Sequence, residues 1–244
     1  TGCCDYGDVL LMPTVGKQQY RTTDPQSQRL AYASSFSHKN EIAEPGYYSV
    51  FLDTYQVKAE ISSTKRGAIH RYTFPENTES GFIIDLDYSL QRQTNSEMEI
   101  EVISDTEICG HKKTTYWAFD QYINFYAKFS KPFSYTLVTD SITMDNGKRL
   151  PVCKALLHFN TSKDEQVLVK VGVSILPVHG RTLNQKFPDG ISKKYVKTHV
   201  RHGMNIFPKL ILQLPIKKIK PSSTRPSITR ESVQICSLMQ TDVI

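Results

Sequence analysis

Residues 47–61 read YYSVFLDTYQVKAEI, and the spacing of their apolar side chains decides the fold. Val50 and Leu52 alternate with other residues, and after an interruption near Asp53–Thr54 so do Val57, Ala59 and Ile61. A period of two puts alternate side chains on one face of a strand. The stretch therefore predicts two half-buried strands. The same grammar recurs along the chain. HRYTF (70–74) stops at Pro75, which has no N–H to give to a ladder. GFIIDLDYSL (81–90) predicts another strand, and EMEIEVIS (97–104) alternates acidic and apolar residues, a strand with one wet face. TTYWAFDQYINFYAKFS (114–130) is aromatic-rich and ends before Pro132, and the Asp145–Gly147 triplet DNG is a hairpin signal. VCKALLHFN (152–160) and QVLVKVGVS (166–174) complete the set. Many short strands, regular turns and no helical period predict an all-β fold, an antiparallel β-sandwich.

The chain has 244 residues, 39% hydrophobic and 22% charged. That composition supports an ordinary core in one large β domain or two small ones. No apolar run is long enough to span a bilayer. The sequence opens on TGCCDYGD, with no initiator Met and no charged-then-apolar leader, so the natural N-terminus is expected upstream. Five cysteines (Cys3, Cys4, Cys109, Cys153, Cys236) show no zinc spacing and read as free or buried thiols.

The net charge of +6 is uneven: residues 175–244 hold 12 Lys+Arg against 3 Asp+Glu, and residues 1–174 hold 18 against 21. The strand grammar also ends at Ser174. Beyond it the chain has neither a 3.6-residue period nor alternation. Pro208, Pro215, Pro221 and Pro226 fall where a regular element would need them absent. Residues 175–244 are expected to be an irregular, poorly ordered tail. A basic tail can bind nucleic acid, but this one lacks the interleaved aromatics and motifs that such binding needs, so no nucleic-acid partner is expected.

FSHKNEIAEPGYYSVFL (36–52) and KRGAIHRYTFP (65–75) resemble the N-terminal domain of glycoside hydrolase family 92, the calcium-dependent exo-acting α-mannosidases. TGCCDYGDVLLMPTVG (1–16), TEICGHKKTTYWAFDQYINFYAKFSKPF (106–133) and VLVKVGVS (167–174) match further blocks of that family in order, with Cys4 where a small polar residue is more usual. The resemblance covers 1–174. It implies a β-sandwich followed by a helical linker and an (α/α)₆ barrel. It also implies an inverting hydrolysis of α-linked mannose in glycans, with one carboxylic acid protonating the glycosidic oxygen and a second carboxylate activating water. Calcium is the cofactor of the intact family enzyme. The acid, the base and the calcium ligands belong to the barrel, so no catalytic or metal residue carries over and this chain is expected to bind no calcium. The partners implied are that barrel and mannose-containing glycans. The location implied is periplasmic or secreted.

The blocks expected next are absent as written, but they emerge when the reading frame moves by one base. STRPSIT (223–229) permits FYTALYH, and VQICSLMQTDVI (233–244) permits RPNMFSDANGRY, with Ile235 using its codon ending in A. KFPDGI (186–191) permits EIPGWD. Residues from about 175 onward are therefore expected to be an out-of-frame translation of the same gene and no domain, and 1–174 a β-sandwich inactive without the barrel.

Several side chains of the sandwich invite a functional reading. Gly2, Cys3 and Asp5, with the FSHKNE loop residues His38 and Glu41, are candidates to face the substrate pocket or the barrel; His38 and Glu41 can equally cap a turn. Asp5 and Asp8 form a carboxylate pair or a turn. Asp85 and Asp87 share a strand face that can hold a cation, though a wet face is the expected reading. Arg66, His70 and Arg71 face barrel carboxylates or solvent. Trp117 stacks on sugar or lies in a core or interface. A stand-alone carbohydrate-binding sandwich is the alternative function, although no exposed aromatic row or calcium loop stands out.

Overall fold

The computed structural model describes residues 9–20, 30–64, 67–88, 94–115, 121–143, 149–174 and 232–233. Among the described residues the strands in chain order are β1 (Leu10–Val15), β2 (Ser34–Ser35), β3 (Ile42–Glu44), β4 (Tyr47–Leu52), β5 (Val57–Thr64), β6 (Gly67–Phe74), β7 (Asn77–Asp85), β8 (Thr94–Val102), β9 (Glu107–Thr115), β10 (Gln121–Phe129), β11 (Ser134–Thr143), β12 (Arg149–Thr161), β13 (Glu165–Ser174) and β14 (Ser232–Val233). A 3₁₀ turn spans His38–Asn40. A four-stranded sheet has the order β1-β7-β12-β11. An eight-stranded sheet has the order β3-β4-β5-β6-β13-β10-β9-β8, and β14 pairs with β2. Every ladder is antiparallel. The chain is thus an all-β antiparallel sandwich.

The quoted stretch behaves as its period requires. β4 and β5 flank a turn at residues 53–56, where Gln56 takes a positive φ of 54°. β6 ends at Phe74, one residue before Pro75. The run 114–130 is not one strand. β9 closes at Thr115, β10 opens at Gln121, and Gln121 lies opposite Thr114. The aromatic block therefore contributes to two antiparallel strands. Trp117, the DNG triplet and all of the tail except 232–233 lie outside the described residues.

Register sorts the side chains by face. Phe82 of β7 is the point where the two sheets meet. Its ring lies 4.9 Å from Tyr72, 5.6 Å from Phe74 and 5.3 Å from Phe129, all on the larger sheet, and 5.7 Å from Phe159 on its own. These are edge-on or tilted contacts, the geometry that ring quadrupoles prefer. Beside those rings on the larger sheet, Val167, Val169 and Val171 of β13 are buried with Val57 and Ala59 of β5.

In the smaller sheet β1, β7 and β12 are also buried on the outer face. Leu10, Met12, Thr14, Ile83 and Leu156 point away from the larger sheet yet are shielded. The segment after β1 helps to cover them. Gln18 reaches Thr14 Oγ1 at 2.8 Å and the carbonyl of Leu157 at 3.1 Å. Gly81 makes room for it, because a Cβ there would collide with the Leu157 carbonyl and the Gln18 amide. Two buried faces explain why β7 and β12 carry almost unbroken apolar runs rather than strict alternation.

His70 corrects an expectation. It was read with Arg71 as facing a barrel or solvent, but adjacent strand residues point to opposite faces. His70 turns into the core beside Tyr72, with Nδ1 2.9 Å from the Tyr72 hydroxyl. Burial holds its pKa down at about 4. The folded imidazole therefore stays neutral below pH 6.5 while the unfolded one takes up a proton, so stability is lost as pH falls from 6.5 to about 4. The expected slope from this one group is up to about 1.4 kcal/mol per pH unit. His70→Gln should flatten the slope in that window, as read by urea melts at pH 7, 6 and 5; an unchanged slope would rule the assignment out.

Candidate functional site

The FSHKNE segment forms a small, well-tied corner at the β3 edge of the larger sheet. Ser37 Oγ accepts the Lys39 N–H at 3.3 Å and opens the 3₁₀ turn, and the Glu41 N–H closes it on the His38 carbonyl at 3.4 Å. The structure brings the two predicted residues together: His38 Nδ1 lies 2.5 Å from Glu41 Oε2. The other carboxylate oxygen of Glu41 accepts the Tyr48 hydroxyl at 2.7 Å. Burial first, and then Glu41, push the Tyr48 phenol above its ordinary range. Both oxygens of Glu41 are thus engaged in holding the turn on β4. The aspartate, cysteine and glycine of the other candidate segment (Gly2, Cys3, Asp5) lie outside the described residues.

Beside this corner is an open groove of about 460 Å³, lined by Lys39, Asn40, Ile42, Ser49, Phe51 and Lys58. His38 and Glu41 flank it rather than line it. Phe51 and Ile42 give it an apolar floor and wall, and Ile42 is 50% exposed. Lys39 and Lys58 supply charge. Next to the groove, Arg71 grips Glu60 with two hydrogen bonds of 2.8 Å, and the Tyr47 hydroxyl adds a third at 2.8 Å. Burial alone would raise the Glu60 pKa, but these donors outweigh it and hold the group down at about 2. Lys58 stands 3.3 Å from the same carboxylate. Because Arg71 already matches both Glu60 oxygens, Lys58 adds positive charge to the groove.

The second polar locus lies on the outer face of the smaller sheet, and it overturns the expectation of a wet face at Asp85 and Asp87. Asp85 is fully buried. Its Oδ2 accepts from the Tyr32 hydroxyl and from Lys154 Nζ. Its Oδ1 accepts the backbone N–H groups of Asp87 at 2.7 Å and Tyr88 at 3.1 Å. Lys154 also reaches Asp87 Oδ2 at 2.9 Å, and the other oxygen of Asp87 takes the Cys153 N–H. Lys154 and Asp85 are direct cross-strand partners, so the register itself creates the pair. Burial, then Asp85, push the Tyr32 phenol well above its ordinary range. Burial and Asp85 also raise Asp87, against the pull of Lys154.

These carboxylates do not suit calcium. That ion needs six to eight oxygen ligands, and here an ammonium and backbone donors already use the oxygens. Among the described residues, no group of three His, Cys, Asp or Glu is placed to hold a metal. The two described cysteines, Cys109 and Cys153, are buried, and burial pushes Cys153 up to about 12.

Lys154 and Tyr32 escaped the sequence reading. The available signal was a lysine inside the apolar run VCKALL, which demands a buried counter-charge. Lys154→Met would leave two carboxylates buried without their cation and should cost about 3–5 kcal/mol. The paired change Lys154→Met with Asp85→Asn should recover a good part of that loss. Denaturant midpoints of the three proteins test this, and equal midpoints for wild type and Lys154→Met would refute it.

The comparisons with known proteins agree with this architecture. Residues 1–174 match the family model for the glycosyl hydrolase family 92 N-terminal domain. A family GH92 α-mannosidase from Bacteroides thetaiotaomicron superposes with a TM-score of 0.63 at 30% identity, covering 78% of this chain and 27% of that one. An inverting GH92 mannosidase from Bacteroides thetaiotaomicron VPI-5482 shares the fold at a TM-score of 0.53 and 21% identity, covering 75% of this chain and 24% of its own. Comparison with curated proteins gives no match. The chain spans about a quarter of the length of these solved relatives. No helix among the described residues is long and apolar enough to cross a membrane. By the extent of the family match, the chain belongs to glycoside hydrolase family 92 through its N-terminal domain.

Proposed function

We propose that residues 1–174 serve an α-mannosidase as its non-catalytic N-terminal sandwich, acting on α-linked mannose of glycans only together with an (α/α)₆ barrel. The observation that carries this reading is the state of Asp85 and Asp87. Inverting hydrolysis needs two carboxyl groups on either side of the sugar, about 6.5–9.5 Å apart, one protonated and one facing a water. Asp85 and Asp87 instead share one lysine inside the protein. Glu60 is held ionised by Arg71 and cannot serve as an acid. The acid, the base and the calcium of the family mechanism then belong to the barrel.

In this reading the sandwich shapes and supports the substrate pocket. Gly2, Cys3 and Asp5 face that pocket or the barrel, and so does the corner at His38 and Glu41. The groove beside it presents an apolar floor and two ammonium groups, a surface suited to an acidic neighbour. The 30%-identical relative also has a structure in complex with mannoimidazole, which supports mannose as the sugar. The purified chain, assayed on an aryl α-mannoside with added calcium, should show no turnover. Turnover abolished by Asp85→Asn or Asp87→Asn would place the chemistry in the sandwich and end the proposal.

Residues 175–244 lie outside this function. The family match ends at residue 174, where the strand grammar also ends, and a one-base shift permits family-like blocks beyond it. The coding DNA from Val171 to His179 should therefore show a one-base insertion or deletion relative to a gene that continues into those blocks. Codons that cannot yield EIPGWD or FYTALYH in the shifted frame would refute it.

A further inference from the structure

The buried cluster on the smaller sheet holds more than an ion pair requires. Lys154 of β12 and Asp85 of β7 are directly opposed in an antiparallel ladder. The Lys154 ammonium touches Asp85 Oδ2 and lies 2.9 Å from Asp87 Oδ2. One ammonium therefore meets two carboxylates, where pairing alone would use one. Asp85 Oδ1 accepts two backbone N–H groups, from Asp87 at 2.7 Å and from Tyr88 at 3.1 Å. The Tyr32 hydroxyl donates to Oδ2. The site is dry: Asp85 is 0% exposed, Tyr32 2% and Lys154 7%.

Each of these groups stands where condensation of an amine with a carboxyl group would need it. A lysine amine becomes a nucleophile when it is desolvated and gives up its proton. A base must lie within hydrogen-bond reach of the proton that it takes, and Asp87 does. Burial and then the Asp85 charge raise the Asp87 pKa against the pull of Lys154, which makes it a stronger base than a surface aspartate. The oxygen that gathers negative charge needs fixed donors about 2.7–3.1 Å away, and the two N–H groups on Oδ1 meet that demand. Burial, then Asp85, push the Tyr32 phenol well above its ordinary range, so it stays a donor to Oδ2.

We propose that Lys154 and Asp85 condense to an intramolecular amide, a covalent tie between β7 and β12 that the folded chain makes by itself. The ion pair described above is the reactant state. One proton passes from Nζ to Asp85 Oδ2, leaving a neutral amine beside a carboxylic acid, since burial disfavours the charged forms. Nζ then attacks Cγ of Asp85. As the N–C bond forms, Asp87 takes a second proton from Nζ, and negative charge gathers on Oδ1 under the two N–H groups. The Cγ–Oδ2 bond breaks, and Oδ2 leaves as water carrying both protons, which returns Asp87 to its carboxylate. Nothing is oxidised or reduced. Free acids and amines do not condense in water, but two ends held in contact react at an effective molarity of about 10⁵–10⁸ M. The dry site also excludes the water that would reverse the step.

Intact-mass spectrometry of the 244-residue chain, folded and then denatured, tests this. The chain should be lighter than its sequence by one water molecule. Trypsin should then fail to cut after Lys154 and should release peptide 72–92, which contains Asp85, joined to peptide 150–163. Lys154→Arg keeps a cation but cannot form this bond, and should show the full mass. Asp87→Asn, checked for a cooperative urea melt, retains both reacting groups without the base and should also show the full mass. A folded wild-type chain at full mass would overturn the proposal. A missing water with peptides 72–92 and 150–163 recovered apart would overturn it equally, because the dehydration would then lie elsewhere. An Asp87→Asn chain crosslinked as completely as wild type would overturn the role of Asp87 as the base.

Discussion

Lys154 is the constraint around which the smaller sheet is arranged. The central strands β7 and β12 of the smaller sheet, buried on both faces, leave no wet side for a charge. The lysine of β12 nevertheless lies in that buried layer, opposite Asp85 of β7. Burying an ammonium without a partner costs several kcal/mol, so its surroundings must be fixed. The turn after β7 does this. It folds Asp87 back to the same ammonium, and Asp85 Oδ1 holds the turn through two backbone N–H groups. Tyr32, from the segment after β1, closes the set from above with its ring 6.0 Å from Lys154 Nζ. One cation thus ties β7, β12 and a covering segment into a single geometry. Phe82 works from the opposite face of β7, where it fixes the distance to the larger sheet. The first contact specifies which segment covers the outer face, and the second supplies apolar burial.

The same ledger of charges bears on function. Glycosidic cleavage at neutral pH requires one carboxyl group able to keep its proton and another facing water. A carboxyl keeps its proton when it is buried without a cation. In this sandwich the buried carboxylates have cations: Asp85 has Lys154, and Glu60 has Arg71. The framework is therefore built from matched charges, which favours rigidity over proton transfer. Two further cations, Lys39 and Lys58, border the groove at the β3 corner, and Lys58 also donates to the Glu60 carboxylate that Arg71 already holds. A supporting domain has reason to look like this. It holds loops in place by pairing its own acids and keeps an excess of cations, three against Glu60, around one groove.

Much of the sandwich was legible in the sequence because burial on one face imposes a period of two. Val50, Leu52, Val57, Ala59 and Ile61 show it, and the alternating acids of β8 mark a wet face correctly. The reading failed where that premise fails. β7 and β12 are buried on both faces, so their sequences do not alternate, and Asp85 in IIDLDY was read as wet when the face it shares is covered. The covering segment starts some fifty residues earlier in the chain, and no local window contains it. His70 was misjudged for a related reason. A polar residue is read as outward by default, yet the phase of its strand, set by Tyr72 and Phe74, already pointed it inward. The His38–Glu41 pair was half legible, since a three-residue spacing permits the contact, but the role of Tyr48 depends on how β4 lies against the turn. Local period therefore predicts which strands exist, and strand phase predicts which way a polar side chain points. What a buried charge is paired with follows only from register, which makes the lysine in VCKALL the residue whose partner the sequence most needed and could not supply.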